Sequence, residues 1–316
     1  MSTSLCISTE PIIFTRYLYN KTEVKQSLFI SLLNRNLDEA MFWAYELYFS
    51  GFDTDVFDYI INVYREVYSL LNPKLVLFIE KMVIIWSKDK TNHWTIGSII
   101  TTLISREYDI NSFVNTYFNV KCNNKPNHKQ PKNKLRILLT NNHIDKYKTI
   151  SSGRADTILQ RACKYAVYKE YNQLFGLDIP KLTVLQDIYY YHWLYYCLDT
   201  PIWRQRIFQY NGRLDHSKKW IEFDDEDSLQ EFYDNWGYYP DEQPSWVDYK
   251  TIGNRFEDKQ ISIMEFCVQF NATPVIKKVK INSNSNNSSN SNSNNNNNHT
   301  NSLPTEPDIV NSIEYT

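Results

Sequence analysis

Asn36-Leu37-Asp38-Glu39-Ala40-Met41-Phe42-Trp43-Ala44-Tyr45-Glu46-Leu47-Tyr48-Phe49-Ser50-Gly51 carries both the start and the stop of one helix. Asn36 is a good N-cap, and Asp38 and Glu39 set negative charge against the positive end of the helix dipole. Gly51 suits the left-handed position that closes a helix. Between them Ala40, Met41, Ala44, Leu47 and Tyr48 recur at helical spacing as an inward stripe. On the N-terminal side, Val24, Leu28, Ser31 and Leu32 repeat the same period and stop at Asn34-Arg35-Asn36, so two helices meet at a tight turn.

The pattern continues downstream. Asp53 or Thr54 opens a third helix with Val56, Ile60, Val63, Val67 and Leu71 on one face and Asp58, Asn62, Arg65 and Glu66 opposite. Asn72-Pro73 ends it, and Pro73 fits the first position of a fourth helix, where a missing N–H is no loss. Leu75, Ile79, Met82 and Trp86 stripe that helix, and Val76, Leu77, Val83 and Ile84 widen the stripe until little polar surface is left. It is therefore expected to be the central, most buried helix. A fifth, over 94–105, sets Ile96, Ile99, Ile100 and Leu103 on one side and the small Gly97, Thr101 and Ser105 on another, which permits close helix contact.

Composition agrees with a mainly α, soluble globular chain. Seven glycines in 316 residues disfavour an all-β fold and leave little from which to build a phosphate-cradling loop. No apolar run approaches the roughly 18 residues that a membrane span needs. Met1-Ser2-Thr3-Ser4-Leu5-Cys6 has neither the basic nor the apolar part of a signal peptide, so secretion is not expected. The organisation reads as an N-terminal bundle of packed helical hairpins (1–120), a basic connector or long exposed loop (121–155), an aromatic-rich helical part with a small β element (156–275) and a disordered Asn/Ser-rich tail (276–316).

In the connector, Lys121, Lys125, Lys129, Lys132, Lys134, Arg136, Lys146 and Lys148 face a single acid, Asp145. Asp156 is placed to cap a helix running to about Phe175, and Pro180 introduces an aromatic helix over 181–198. Asn211-Gly212 between β-prone flanks predicts a small strand pair. From 221 to 249 there are ten acids and neither Lys nor Arg; a short helix over 228–236, capped by Asp227, fits inside.

No residue set is assigned a catalytic, metal or cofactor role. The five cysteines form no C-x-x-C pair and read as free thiols. A zinc set would have to gather Cys122, His128 and His143 without the usual tight pairs. A triad of Cys163 or Cys197 with His192 has no positive support, and His192 reads as a hydrogen-bonded core residue. Pro240-Asp241 followed by Asp248-Tyr249-Lys250 has the letters of a nuclease carboxylate pair, but at turn-like spacing. The most suggestive stripe lies on the expected helix after Asp156, where Arg161, Lys164, Tyr165 and Tyr168 share a face with Lys169 beside them. Cations neutralise phosphates and aromatic faces accept bases, so this is the candidate nucleic-acid surface; its bland counterpart is a solvated face at a domain edge.

The Asn/Ser tract 282–302, the Asn/Lys/Ile/Tyr bias, the 36–51 string and Thr200-Pro201-Ile202-Trp203-Arg204-Gln205-Arg206 together resemble uncharacterised proteins of giant, mimivirus-like DNA viruses. The resemblance spans 20–275, transfers no catalytic residue, and implies a location in a host cytoplasmic viral factory or in the virion. The 36–51 string is also similar to the helical collar of clamp-loader-type ATPases, though no ATPase motif accompanies it. The leading expectation is a non-enzymatic interaction or scaffold protein that uses aromatic surface for protein contacts. The second is a nucleic-acid-associated factor in replication, transcription or packaging.

Overall fold

The computed structural model describes residues 11–122, 135–253, 259–277 and 312–313. Within them the protein is mainly helical. Helix α1 (Lys21–Leu33) starts at Asn20, whose side chain accepts from the Thr22 amide, and α2 (Leu37–Phe49) starts at Asn36, which accepts from Glu39. α2 ends as its sequence predicts. Gly51 sits at φ 94°, its amide donates to the Tyr48 carbonyl, and the Phe52 amide donates to Leu47, the paired bonds of a Schellman stop. Gly51 has a second reason to be glycine: a Cβ there would lie 2.6 Å from Cβ of Pro201.

α3 (Asp53–Val63) runs into a π-helical turn, Tyr64–Tyr68, and α4 (Val76–Lys88) follows Pro73–Leu75. The expectation that α4 is the central helix is wrong. It buries Phe78, Ile79, Met82 and Trp86, while Leu77 and Ile84 are 63% and 53% exposed. The central helix is α1, buried at every position except Lys25. Its polar side, including Glu23, Gln26 and Ser27, is covered by a distant segment of chain, which helical periodicity cannot reveal.

α5 (Trp94–Ile104) uses its small residues as the sequence predicts. A Cβ on Gly97 would lie 2.6 Å from the Tyr45 hydroxyl and 2.9 Å from Met41 Cε, so α2 approaches α5 where there is no side chain. Gly97→Ala is expected to destabilise by about 1–3 kcal/mol through overpacking, despite better helix propensity, as read by urea unfolding. A sixth helix, α6 (Asn111–Phe118), was not foreseen; the Asp109 carboxylate accepts from the Asn111 amide at its start.

The 11–20 segment has no periodicity, yet it runs through the core. Phe14, Tyr17, Leu18 and Tyr19 are almost fully buried. The Phe14 amide donates to the Tyr196 carbonyl, and the Thr200 hydroxyl and Trp203 indole donate to the carbonyls of Phe14 and Thr15. Part of the basic connector is likewise held in place. The amides of Ile137 and Leu139 donate to the hydroxyls of Thr102 and Ser98, which lays this stretch along α5. Lys125, His128, Lys129, Lys132 and Lys134 lie outside the described residues, as does the 282–302 tract.

The helix expected from Asp156 to Phe175 is not formed. A turn at Ala155–Thr157 leads into Ile158–Ala162, and the chain leaves helical geometry at Cys163, with ψ 87°. The backbone beyond finds its partners elsewhere. Tyr165 and Tyr168 carbonyls accept from Tyr19 and Gln26 side chains, and the amides of Val167 and Tyr168 donate to Lys250 and Ser27. Those bonds outweigh the helix propensity of a stretch that includes Ala166, Lys169 and Glu170.

The 181–198 helix is two, Leu182–Tyr191 and Trp193–Cys197, parted at His192. Pro201–Gln209 is a further helix with proline in its first turn. The strand pair forms as β1 (Arg213–Asp215) and β2 (Trp220–Glu222), antiparallel with Leu214 opposite Ile221. Its turn is 216–219. Asn211-Gly212 instead ends the preceding helix, its glycine amide donating to the Ile207 carbonyl. The acidic helix is Glu226–Trp236, capped by Asp225 rather than Asp227. Buried side chains from Phe14 to Phe270 form one continuous core. Ile276–Lys277 pairs with Ser312–Ile313. No helix among the described residues is long and apolar enough to cross a membrane.

Candidate functional site

The five residues singled out from the sequence lie near one another, but as a strap over the amino-terminal helices and not as a helix face. The Lys164 ammonium and the Tyr165 hydroxyl both donate to Oδ2 of Asp38. The Tyr168 hydroxyl donates to Glu39 Oε2 at 2.9 Å. Lys169 pairs with buried Glu23 at 2.7 Å, and Asn172 donates to the same oxygen. Arg161 donates to the Ser152 carbonyl at 2.5 Å. Three carboxylates near the starts of α1 and α2 thus receive the lysines and phenols of the strap, a role that no periodicity argument assigned to Glu23, Asp38 or Glu39.

Asp38 collects four donors. Lys146 and Tyr147 reach Oδ1 at 2.6 and 2.9 Å, and Lys164 and Tyr165 reach Oδ2. Partial burial alone would raise its carboxyl, but the four bonds outweigh it and hold the group well below the usual carboxylate range. Because the folded value is depressed, the stabilisation is complete above the unfolded value of about 4 and is lost as pH falls below it. The native chain should therefore lose thermal stability more steeply than Asp38→Asn on acidification below about pH 4. Parallel melting curves in the two proteins would show no arm of stability tied to Asp38. At Glu39, by contrast, burial dominates over the Tyr168, Trp43 and Asn36 donors and pushes the carboxyl up.

A second, independent feature is a cleft of about 270 Å3 formed where Leu182–Tyr191, Trp193–Cys197, β2 and the Pro240–Glu242 turn meet. Tyr191, Trp220 and Tyr239 line it and stay 60%, 46% and 37% exposed, while Trp193 and Tyr233 form deeper wall. Two wall residues have left-handed backbone: Lys219 at φ 52° and Tyr239 at φ 43°. Lys219 presents the following Trp220. Tyr239 is the more unusual, since a bulky residue before proline is doubly disfavoured there. Gly237 makes room for it; a Cβ at that position would lie 2.8 Å from the Tyr239 ring. Backbone strain of this kind persists where surrounding structure enforces it, and it gathers at functional sites. Burial raises the Tyr239 hydroxyl, and the charges of Asp234, Glu242 and Asp156 raise it further, so three carboxylates act on this ring from nearby. Asp241 lies in the wall itself.

No protein-family model, curated protein or solved structure matches this chain. The chemistry must be read from its own residues.

The remaining sequence candidates do not assemble. Asp248 accepts from the Tyr190 hydroxyl at 2.7 Å, Lys250 donates to the Cys163 carbonyl at 2.9 Å, and Asp241 faces the aromatic cleft, so the nuclease-like string points three ways. Burial raises the thiols of Cys163 and Cys197, the reverse of an activated nucleophile. His192 is not a core residue: it is half-buried at the helix break, with Nδ1 3.3 Å from the Lys219 carbonyl. His143 caps a short helix through Thr140, Cys122 is buried beside the Pro274 bridge, and His128 lies outside the described residues. Among the described residues no group of three or more His, Cys, Asp or Glu side chains is placed to hold a metal. The cleft escaped the sequence reading because its residues come from four separate segments. The one available signal was the density of Tyr and Trp in 189–249 together with the ten acids of 221–249.

Proposed function

We propose that this protein is a non-enzymatic docking protein that receives a cationic segment of a partner protein in its aromatic cleft. The observation that carries this reading is the convergence of three exposed rings, Tyr191, Trp220 and Tyr239, on one cavity with the Asp241 carboxylate in its wall. Aromatic faces attract ammonium and guanidinium groups, and nearby carboxylates add to the pull. The one lysine of the wall, Lys219, is turned toward the ring of Tyr196, 6.0 Å from its centroid. Large exposed rings are also the side chains that anchor protein interfaces. On the resemblance to giant-virus chains, the partner would belong to the viral factory or to the virion.

The test is titration of the full chain with labelled oligo-arginine and oligo-lysine peptides, with oligo-glutamate as the opposite charge. Cationic peptide should bind, and Trp220→Ala should weaken it about tenfold, the value of one well-placed cation–π contact. The same change should move folding stability by less than about 0.5 kcal/mol, because the ring is exposed. Asp241→Lys should weaken binding as well. Equal affinity for oligo-glutamate, or full affinity in Trp220→Ala, would sink the reading.

A further inference from the structure

Behind the strap lies a separate cavity of about 260 Å3, far in chemistry from the aromatic cleft. Arg16, Lys146, Lys148, Arg161 and Lys164 line it together with Tyr17, Asp38, Phe42 and Tyr147. The five cations are only partly neutralised. Arg16 pairs with buried Glu46, Lys146 and Lys164 share Asp38, and Lys148 pairs with Asp145. Three carboxylates therefore stand against five positive groups, an excess of two charges at one concavity. Arg161 has a carbonyl, Ser152, as its partner and so keeps its full charge. Arg16 is buried, and its guanidinium uses three of five N–H groups, toward Glu46, Thr149 and the Tyr147 carbonyl.

We infer that this cavity is an anion site that takes a phosphate dianion, either free phosphate or the phosphoryl group of a small monoester. An excess of two charges matches a dianion, and guanidinium donors in a fixed fork match phosphate oxygens. Two of these cations, Arg161 and Lys164, belong to the stripe that suggests nucleic acid, but the rings that line this cavity do not serve that purpose. Tyr17, Phe42 and Tyr147 are each at least nine-tenths buried, so the cavity wall itself offers a base no face to stack on. The site owes nothing to the docking cleft and stands or falls apart from it.

Calorimetric titration of the full chain with inorganic phosphate, O-phosphoserine and oligothymidylate decides the matter. Phosphate or O-phosphoserine should bind, and Arg161→Gln and Lys148→Gln should each weaken binding about tenfold, the loss of one charge-assisted bond. Both side chains are exposed, and unchanged melting curves would confirm that the variants fold. Tighter binding of O-phosphoserine marks an organic monoester as the ligand, and parity marks free phosphate; either result supports the site. Oligothymidylate binding more tightly than phosphate, with steep salt dependence, would overturn it in favour of a nucleic-acid groove. So would affinity untouched by both substitutions, or no heat of binding with any probe.

Discussion

Glu46→Ala is expected to destabilise the fold by about 3–5 kcal/mol, enough to leave a domain of ordinary stability marginal. Glu46 lies fully buried on α2 and receives the Arg16 Nε–H at 2.9 Å and the Tyr17 amide at 3.1 Å. Arg16 is itself buried, and its remaining contacts, the Thr149 hydroxyl and the Tyr147 carbonyl, are neutral. Alanine at position 46 thus leaves the Arg16 guanidinium, at the inner wall of the anion cavity, without its carboxylate and the Tyr17 amide without an acceptor. The pair also ties three distant pieces of chain together: the 11–20 segment, α2 and the 147–149 stretch. Removing both charges should hurt less than removing one, since the desolvation cost of the pair disappears with it. The double variant Arg16→Met, Glu46→Leu is expected to be more stable than either single change, and urea midpoints of the four proteins form the cycle that measures this. Loss of less than about 1 kcal/mol in Glu46→Ala would mean that water reaches the pair and that the junction is not closed.

Local chemistry explains which parts of this molecule could be read in advance. The caps of α2, its glycine stop and the close packing at Gly97 depend on residues within one or two turns, and each appears where the sequence placed it. Burial rank failed for the opposite reason. α4 is apolar around most of its circumference, yet it lies at the edge with Leu77 and Ile84 outward, whereas α1 carries Glu23, Gln26 and Ser27 into the core. Those polar groups are tolerated because the strap brings Lys169, Asn172 and the Tyr168 backbone to them. A period of 3.6 reports which face of a helix is oily. It is silent on which remote segment covers the other face. The same limit governs the functional sites. Arg161 and Lys164 do meet in one cavity, but Tyr165, Tyr168 and Lys169 do not line it, because the chain leaves the helix at Cys163. Tyr239 and Lys219 hold left-handed backbone that nothing in their residue type announces, so the aromatic cleft becomes visible only in three dimensions.

Trp203→Ala should cost about 3–5 kcal/mol, against almost nothing for alanine at Trp220, although both changes delete the same ring. Trp203 is fully buried on Pro201–Gln209. Its ring meets Trp193 at 5.2 Å and Tyr238 at 5.1 Å between centroids, and its indole donates to the Thr15 carbonyl. The Arg206 guanidinium covers the ring at 4.6 Å. Alanine therefore opens a large cavity, removes one of the two donors to the buried Thr15 carbonyl, which keeps the Leu18 amide, and deletes a cation–π contact in one step. Trp203→Phe separates these effects. It refills most of the volume and keeps a ring under Arg206 but loses the indole donor, so a cost of about 1–3 kcal/mol is expected. The consequence reaches the cleft, because Trp193 is both a neighbour of Trp203 and part of the cleft wall. In Trp203→Ala, measured below its melting temperature, cationic peptide should bind more weakly even after correction for the unfolded fraction. In Trp203→Phe it should bind nearly as in the native chain. If Trp203→Ala keeps both native stability and native peptide affinity, the buried aromatic stack does not support the cleft, and the exposed rings would have to be held by the left-handed backbone at Lys219 and Tyr239 alone.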